Sequence, residues 1–513
     1  MHCSPILLFA ATLSAAVSLA KVSTAAPRNI TQKDFRLWTE TIEKARTNVG
    51  VQGLSVAVVY KGETIYAQGF GKRNDKDPFT AETTASIASL TKAFTAAIVG
   101  ELVAEGKADW LTPINEYVPE FKSKNPFMTA EINLVDVLSH RTGYPNLNYH
   151  WYSRTEGRSE LIKKLRHVDP VAPLRTQWSY NNVMFSLAGE AAGRIDGKSW
   201  EEVVRDRILI PAGMTNTGFS IKTLVTRPNH ALPYASKSFE AAQRGENYQI
   251  PPNTLPLNDP SSGDIFSNVI DLAKWAKIML GEGKLNGKQV LHSTTIQTVT
   301  KGQMVLGNAA YGLGWVIQDK QGHRMIHHDG SYSGYRSYMT LFPDDDLAVM
   351  VMSNKKGGNA HTHVAAYLAE YILGLPKTKD WLFESLVKND MAYYQQQAIE
   401  SLERFFPLQV KNKPPTRKLE DFAGEWTNAY GAPVSLTVNS KGKLKYKVFG
   451  REGTLEHYHY DSFRLRNLHP TSPVVAFLTF MTGESGSVEI LQMTVSEGTV
   501  VYTKPVVLGA TQK

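Results

Sequence analysis

Two β-rich stretches at opposite ends of one long segment constrain how this chain can fold. The first, LSVAVVYKGETIYAQGFG (54–71), reads as a hairpin turning at Lys61-Gly62. The second comprises RMIHHDG (324–330), RSYMTLFPDD (336–345) and LAVMVMSN (347–354), three successive strand-like runs with Pro343 and an Asp cluster at one turn. Between them the pattern is helical or loop-rich. If the late strands pair with the early hairpin, one sheet joins both ends of the segment and the intervening helices must pack on it. That is an α/β (α+β) arrangement, with a helical region on a mixed, mainly antiparallel sheet. Ahead of the hairpin, DFRLWTETIEKARTNVG places Phe35, Trp38, Ile42 and Ala45 at helical spacing and stops at Gly50.

Within this frame, TTASIASLTKAF (83–94) sets Ser89 three residues before Lys92, at the start of an apolar helix whose Phe94, Ile98 and Leu102 recur every fourth position. Ser-x-x-Lys also begins at Ser18, Ser353, Ser385 and Ser440, so the pattern by itself discriminates little. Only Ser89 has the apolar helix behind it. Free N–H groups at a helix start favour a developing oxyanion, and a residue one turn on lies on the same face. For Lys92 to serve as a base near neutral pH, its ammonium must be destabilised by about 4 kcal/mol relative to an ordinary lysine. A helix dipole supplies about 0.3–1 kcal/mol, so desolvation beside Ala93, Phe94 and Ala96, or a cationic neighbour, must supply most of it.

WSYNNVMFSLAG (178–189) then provides Tyr180-x-Asn182, and IHHDGSYSGYRS (326–337) provides His328-Asp329-Gly330. Ser-x-x-Lys, Tyr-x-Asn and a basic-x-Gly strand, in that order, resemble the serine β-lactamase and penicillin-binding-protein family, nearest its class C branch and esterase relatives. Shorter echoes, among them INLVDVLSHRTGYPN, PSSGDIFSNVIDLAKW and YGLGW, extend the resemblance over roughly residues 30–375. It implies a β-lactamase/transpeptidase-like fold with Ser89 as acylated nucleophile and Lys92 and Tyr180 sharing its proton. It further implies Asn182, His328 and Gly330 at the substrate, and an oxyanion hole from the backbone N–H groups of Ser89 and Ser331. A second Tyr-x-Asn, Tyr144 to Asn146, falls in a Pro- and Asn-containing turn and is set aside.

The third motif departs from the antibiotic-hydrolysing pattern, which carries Lys-Thr-Gly. His328 is a weak cation at neutral pH. Asp329 would repel a substrate carboxylate if it faced the site. Both changes favour neutral esters, amides or peptides over β-lactams. The alternative is a catalytically silent matrix or binding protein that retains the fold, against which an intact Ser89, Lys92 and Tyr180 argue.

The rest of the chain bounds the setting. Ile6 to Ala20 is an uncharged apolar run followed by small residues, so residues 1–20 read as a secretory signal, with cleavage as late as 25. The sole cysteine, Cys3, lies within it, so the exported protein is expected to lack disulfides, and the Asn29 sequon suits a secreted glycoprotein. A net charge of +8 spread over 513 residues gives no case for nucleic acid. No Gly-x-Ser-x-Gly or His-Glu-x-x-His occurs; the pairs His361/His363 and His457/His459 read as surface histidines, and no metal or cofactor is expected. The expected domains are 28–376 for the hydrolase, 377–417 for a helical segment and Pro/Lys linker, and 418–513 for a small antiparallel β domain resembling the barrel-like module appended to such hydrolases. In that β domain Lys441, Lys443, Lys445 and Lys447 alternate with other residues on one strand face. A solvated sheet face accounts for them, and docking to an acidic surface or extracellular matrix is the other reading.

Overall fold

A computed structural model describes residues 28–146, 157–252, 260–375, 381–401, 408–429, 433–448, 451–466, 476–495 and 498–504. The expected signal segment, Cys3 included, lies outside the described residues. Helix α1 (Gln32–Asn48) opens the fold under a Thr31/Asp34 capping box. Strands β1 (Gly53–Tyr60) and β2 (Glu63–Gly71) follow, joined by a tight turn at Lys61 and Gly62, both at positive φ as a two-residue hairpin turn requires.

The hairpin pairs with the late strands through β1, whose residues Leu54 to Tyr60 lie opposite Ser353 to Leu347. Strands Tyr335–Phe342 and His323–Tyr332 continue the sheet, which reaches eight strands with Met304–Leu306 at its far edge. Every pairing in it is antiparallel, so the sheet is not mixed. Hairpin connections therefore build most of it, and the one long excursion between β2 and the far edge carries the helical body.

All eight residues of β1 are buried because both faces of the sheet are covered. Leu54, Val56 and Val58 pack with Trp38 and Ile42 of α1 and with Val364 and Leu368 of helix Ala360–Ile372. Ala57, Val59, Met350 and Met352 pack on the other face with Phe94 and Ile98 of helix α2 (Thr91–Ala104). Phe94 stacks on Trp275 at 4.4 Å, tying α2 to helix Val269–Leu280. Each fully buried side chain of this kind contributes about 1.5–3 kcal/mol, so the helical body and the sheet are bound along their whole contact.

Helix Trp381–Ser401 buries Leu382, Leu386 and Asp390 against the α1 face. Beyond it, a four-stranded and a five-stranded antiparallel sheet share a core of Phe422, Trp426, Leu436, Phe463 and Tyr502, and a Thr427–Thr503 bridge links them. The segment expected as a linker is fastened to this β domain. Val410 N–H donates to His459 Nδ1, and Thr416 N–H and Oγ1–H donate to Asp461. The lysine stripe is shorter than expected: Lys445 and Lys447 alternate with buried Leu444, Tyr446 and Val448, whereas Lys441 and Lys443 sit in a turn closed by Asn439. Among the described residues no helix is long and apolar enough to cross a membrane.

Candidate active site

Ser89 is the middle residue of a single 3₁₀ turn, Ala88–Leu90, wedged between the short strand Ala85–Ser86 and α2. The nucleophile candidate thus stands one turn ahead of the α-helix expected to begin at it. Ala88 adopts φ +47, a left-handed conformation unfavourable for a residue with a Cβ, and its N–H is held by Ser86 Oγ at 3.2 Å. From Thr83 to Leu102, Ser89 alone is not buried. The strained turn therefore lifts one hydroxyl out of an otherwise buried stretch.

Three expected partners converge on that hydroxyl. Lys92, 0 % exposed, places Nζ 3.2 Å from Ser89 Oγ. It also donates to Asn182 Oδ1 at 2.7 Å and to the Ser262 carbonyl at 2.9 Å, so uncharged oxygens set its position. The rings of Tyr180 and Phe185 lie 4.8 and 5.3 Å from Nζ. Tyr180 donates its hydroxyl to Ser89 Oγ at 2.8 Å. It stands just before helix Asn182–Asp196, whose cap Asn181 receives the Met184 N–H at 3.2 Å. Asn182 Oδ1 serves Lys92, a use that the motif order alone did not assign.

The strand His323–Tyr332 closes the other side. A Cβ added to Gly330 would lie 2.2 Å from both the Ile87 carbonyl oxygen and Ser337 Oγ, so only glycine lets this strand approach the Ser89 turn so closely. Ser331 is the next residue of this strand and is exposed. His328 is buried, and burial holds its imidazole below the ordinary histidine range, with Lys92 acting in the same direction. Its Nδ1 lies 2.6 Å from the Asp329 carbonyl oxygen, so Nδ1 carries the proton, and Nε2 receives the Tyr311 hydroxyl at 3.0 Å.

Asp329 does not face Ser89. Ile326 and Met339, opposite Leu341 and His328, belong to the core shared with α2, whereas Met325 and Tyr338, the latter opposite Asp329, belong to the core shared with α1. Strand alternation therefore turns His328 and Gly330 toward the helical body and His327 and Asp329 away from it. His327 lies 5.5 Å from Tyr338 on that far face, as alternation requires.

Several other readings change. His361 is buried rather than superficial, and desolvation pushes its imidazole down to about 3. His459 is buried as well, as the acceptor for Val410. Among the described residues no group of three or more His, Cys, Asp or Glu side chains could hold a metal ion. Tyr144 of the second Tyr-x-Asn is buried in the helical core, where burial raises its phenol to about 12. Ser353 is buried at a strand end and Ser385 hydrogen-bonds the Trp381 carbonyl, so neither presents a nucleophile. Asn29 is exposed just ahead of α1.

Residue motifs did not identify His140, Tyr311 or the Ser262 carbonyl as parts of the site. Their only signal was membership of the echoes SHRTGYPN, YGLGW and PSSGD.

A family model described as Beta-lactamase matches residues 38–373, and one described as a domain of unknown function, DUF3471, matches residues 408–504. The chain is 27% identical over 422 residues to Unguisins hydrolase ungD' of Aspergillus campestris, covering 76% of each protein. It is 24% identical over 385 residues to a Beta-lactamase of Escherichia coli, covering 69% of this chain and 96% of that protein. The octameric penicillin-binding protein homologue from Pyrococcus abyssi has a similar fold, with a TM-score of 0.59 at 21% identity, over 91% of this chain and all of that one.

Proposed function

The chain belongs to the beta-lactamase family, and from that premise we propose that it is a secreted serine hydrolase that cleaves neutral esters, amides or peptides through an acyl-enzyme on Ser89. The observation that carries this reading is the convergence of Tyr180 OH, at 2.8 Å, and the buried Lys92 Nζ, at 3.2 Å, on one partly exposed serine hydroxyl. Ser89 Oγ attacks the acyl carbon as its proton passes to Lys92 in its uncharged amine form, or to Tyr180 in its phenolate form, both at hydrogen-bond distance from Oγ. The backbone N–H groups of Ser89 and Ser331 receive the oxyanion. The same proton is returned to the leaving group, and water, deprotonated by the same group, releases the acyl group and regenerates Ser89.

Substrate charge follows from His328. Where a carboxylate-binding site needs a fixed cation, this chain has a buried imidazole with one nitrogen directed at a backbone carbonyl and the other receiving Tyr311. The similarity to an unguisins hydrolase supports a substrate other than a β-lactam. Export is supported by the uncharged run Ile6 to Ala20. The test is a direct comparison of p-nitrophenyl butyrate with nitrocefin, in the unaltered protein and in Lys92→Arg. The neutral ester should be the faster substrate, and the arginine variant should lose roughly a hundredfold or more, the scale of general-base help. Faster nitrocefin turnover would overturn the substrate class; an unchanged ester rate in Lys92→Arg would overturn the role of Lys92.

A further inference from the structure

His140 lies in the loop after helix Leu134–Leu138, remote in sequence from every catalytic motif, and is fully buried. Its carbonyl receives the Ser179 N–H at 2.8 Å, and its Nδ1 receives the Asn181 N–H at 3.1 Å. These are the two residues flanking Tyr180. Its ring packs on the Tyr180 ring at 4.3 Å, with Tyr311 at 4.8 Å and Phe185 at 5.1 Å behind it. The same loop adds two more ties, from Ser179 Oγ–H to the Tyr144 carbonyl at 2.7 Å and from Asn181 Nδ2–H to the Pro145 carbonyl at 2.6 Å.

Two features go beyond ordinary loop packing. His140 holds φ +58, a left-handed conformation that strains a bulky side chain. Its Nε2 is buried without a hydrogen-bond partner among the described residues. Because Nδ1 accepts, the proton of the neutral ring must sit on Nε2, against the aromatic cluster. Burial, with the electrostatic influence of Lys92 acting in the same direction, keeps the imidazole in that neutral form.

We propose that His140 is the positioning residue for the Tyr180 phenol, clamping both peptide flanks and backing the ring so that the hydroxyl stays at hydrogen-bond distance from Ser89. The proposal rests on the acyl-enzyme reading above. A loop histidine that only filled space would not need its Nδ1 on the residue after Tyr180 and its carbonyl on the residue before. Asparagine offers the same clamp: its Oδ1 occupies the place of Nδ1, and it tolerates left-handed backbone better than most residues. Glutamine is long enough to fill the space, yet its amide is one carbon too far out to reproduce the Asn181 bond.

The experiment compares the full-length protein with His140→Ala, His140→Asn and His140→Gln. It reads kcat and KM on p-nitrophenyl butyrate, the rate of fluorophosphonate labelling, and Tm. The alanine and glutamine variants should lose roughly 10- to 100-fold in kcat and in labelling rate with little change in KM, the scale of a displaced catalytic group. The asparagine variant should recover to within about threefold of the unaltered protein, since it keeps the bond that sets geometry. If His140→Ala does not fold, the asparagine–glutamine pair decides. Equal kcat in those two, or an unchanged labelling rate in His140→Ala, would overturn the proposal. Failure of the unaltered protein to label at all would instead overturn the acyl-enzyme reading, so the two outcomes are separable.

Discussion

The Lys92 Nζ lies closer to Asn182 Oδ1, at 2.7 Å, than to Ser89 Oγ, at 3.2 Å. The amide therefore sets where the amine points, and the serine is reached from that fixed position. Asn182→Asp should retain the geometry and add a carboxylate beside the amine. An adjacent negative charge favours the ammonium, so the fraction of uncharged lysine falls at a given pH. The acid limb of kcat/KM should move to higher pH, with activity partly recovered in alkaline buffer. Asn182→Ala, which only removes the acceptor, should lower kcat without moving that limb. Identical pH profiles in the two variants would show that Asn182 does not act through Lys92.

Substrate charge should respond to His328 and not to its neighbour. His328→Lys puts a cation on the face of the strand turned toward the helical body. A charge-assisted hydrogen bond is worth about 1.5–3 kcal/mol, so turnover of carboxylate-bearing relative to neutral substrates should rise by about one to two decades. Asp329→Thr changes the opposite face and should leave that ratio within about threefold, the scatter expected for a substitution with no shared contact. The check is the ratio of nitrocefin to p-nitrophenyl butyrate rates in each single variant. A larger effect from Asp329→Thr would mean its carboxylate reaches the site.

How much of this was legible in the sequence depends on what kind of atom carries each role. The sheet could be read because the hairpin at Lys61-Gly62 and the run LAVMVMSN carry strand chemistry in their side chains. Ser89, Lys92 and Tyr180 could be read because each role requires a specific side chain in a specific order. The Ser262 carbonyl that anchors Lys92 is a backbone atom, present whatever residue stands there. The left-handed φ of Ala88 has no signal in alanine, so the 3₁₀ turn under Ser89 was not expected. The facing of Asp329 depended on register, since a shift of one residue exchanges the two faces of a strand.

Gly330 should not tolerate a methyl group. The added carbon would lie 2.2 Å from the Ile87 carbonyl oxygen, and that atom belongs to the backbone just before the Ser89 turn. Relief requires the strand to move off the turn that carries Ser89. Gly330→Ala should cost about 1–3 kcal/mol of stability, as overpacking does, and reduce kcat more than Tm alone would suggest. Parallel measurements of melting and ester hydrolysis check this; an active variant of unaltered stability would mean the contact is slack.

Acid should weaken the fold, in part through the far face of the sheet. Burial holds His361 at about 3 and His327 at about 4, both below the ordinary value of 6.5. The unfolded chain therefore takes up protons below pH 6.5 that the native protein refuses, and stability falls as pH drops from there toward those lower values. Asp390, raised to about 6 by burial, works in the opposite sense below that pH and offsets part of the loss. Tm should drop between about pH 7 and about pH 4, and His361→Gln should shrink the drop. A drop of the same size in that variant would assign the acid sensitivity elsewhere.

In the proposed reaction one serine, Ser89, is acylated. Incubation of the unaltered protein with a fluorophosphonate, followed by proteolysis and mass spectrometry, reads it directly. A single phosphonyl adduct is expected on the peptide containing Ser89, absent in Ser89→Ala and much slowed in Lys92→Arg. An adduct on Ser331 or Ser353, or labelling that persists in Ser89→Ala, would contradict acylation at Ser89.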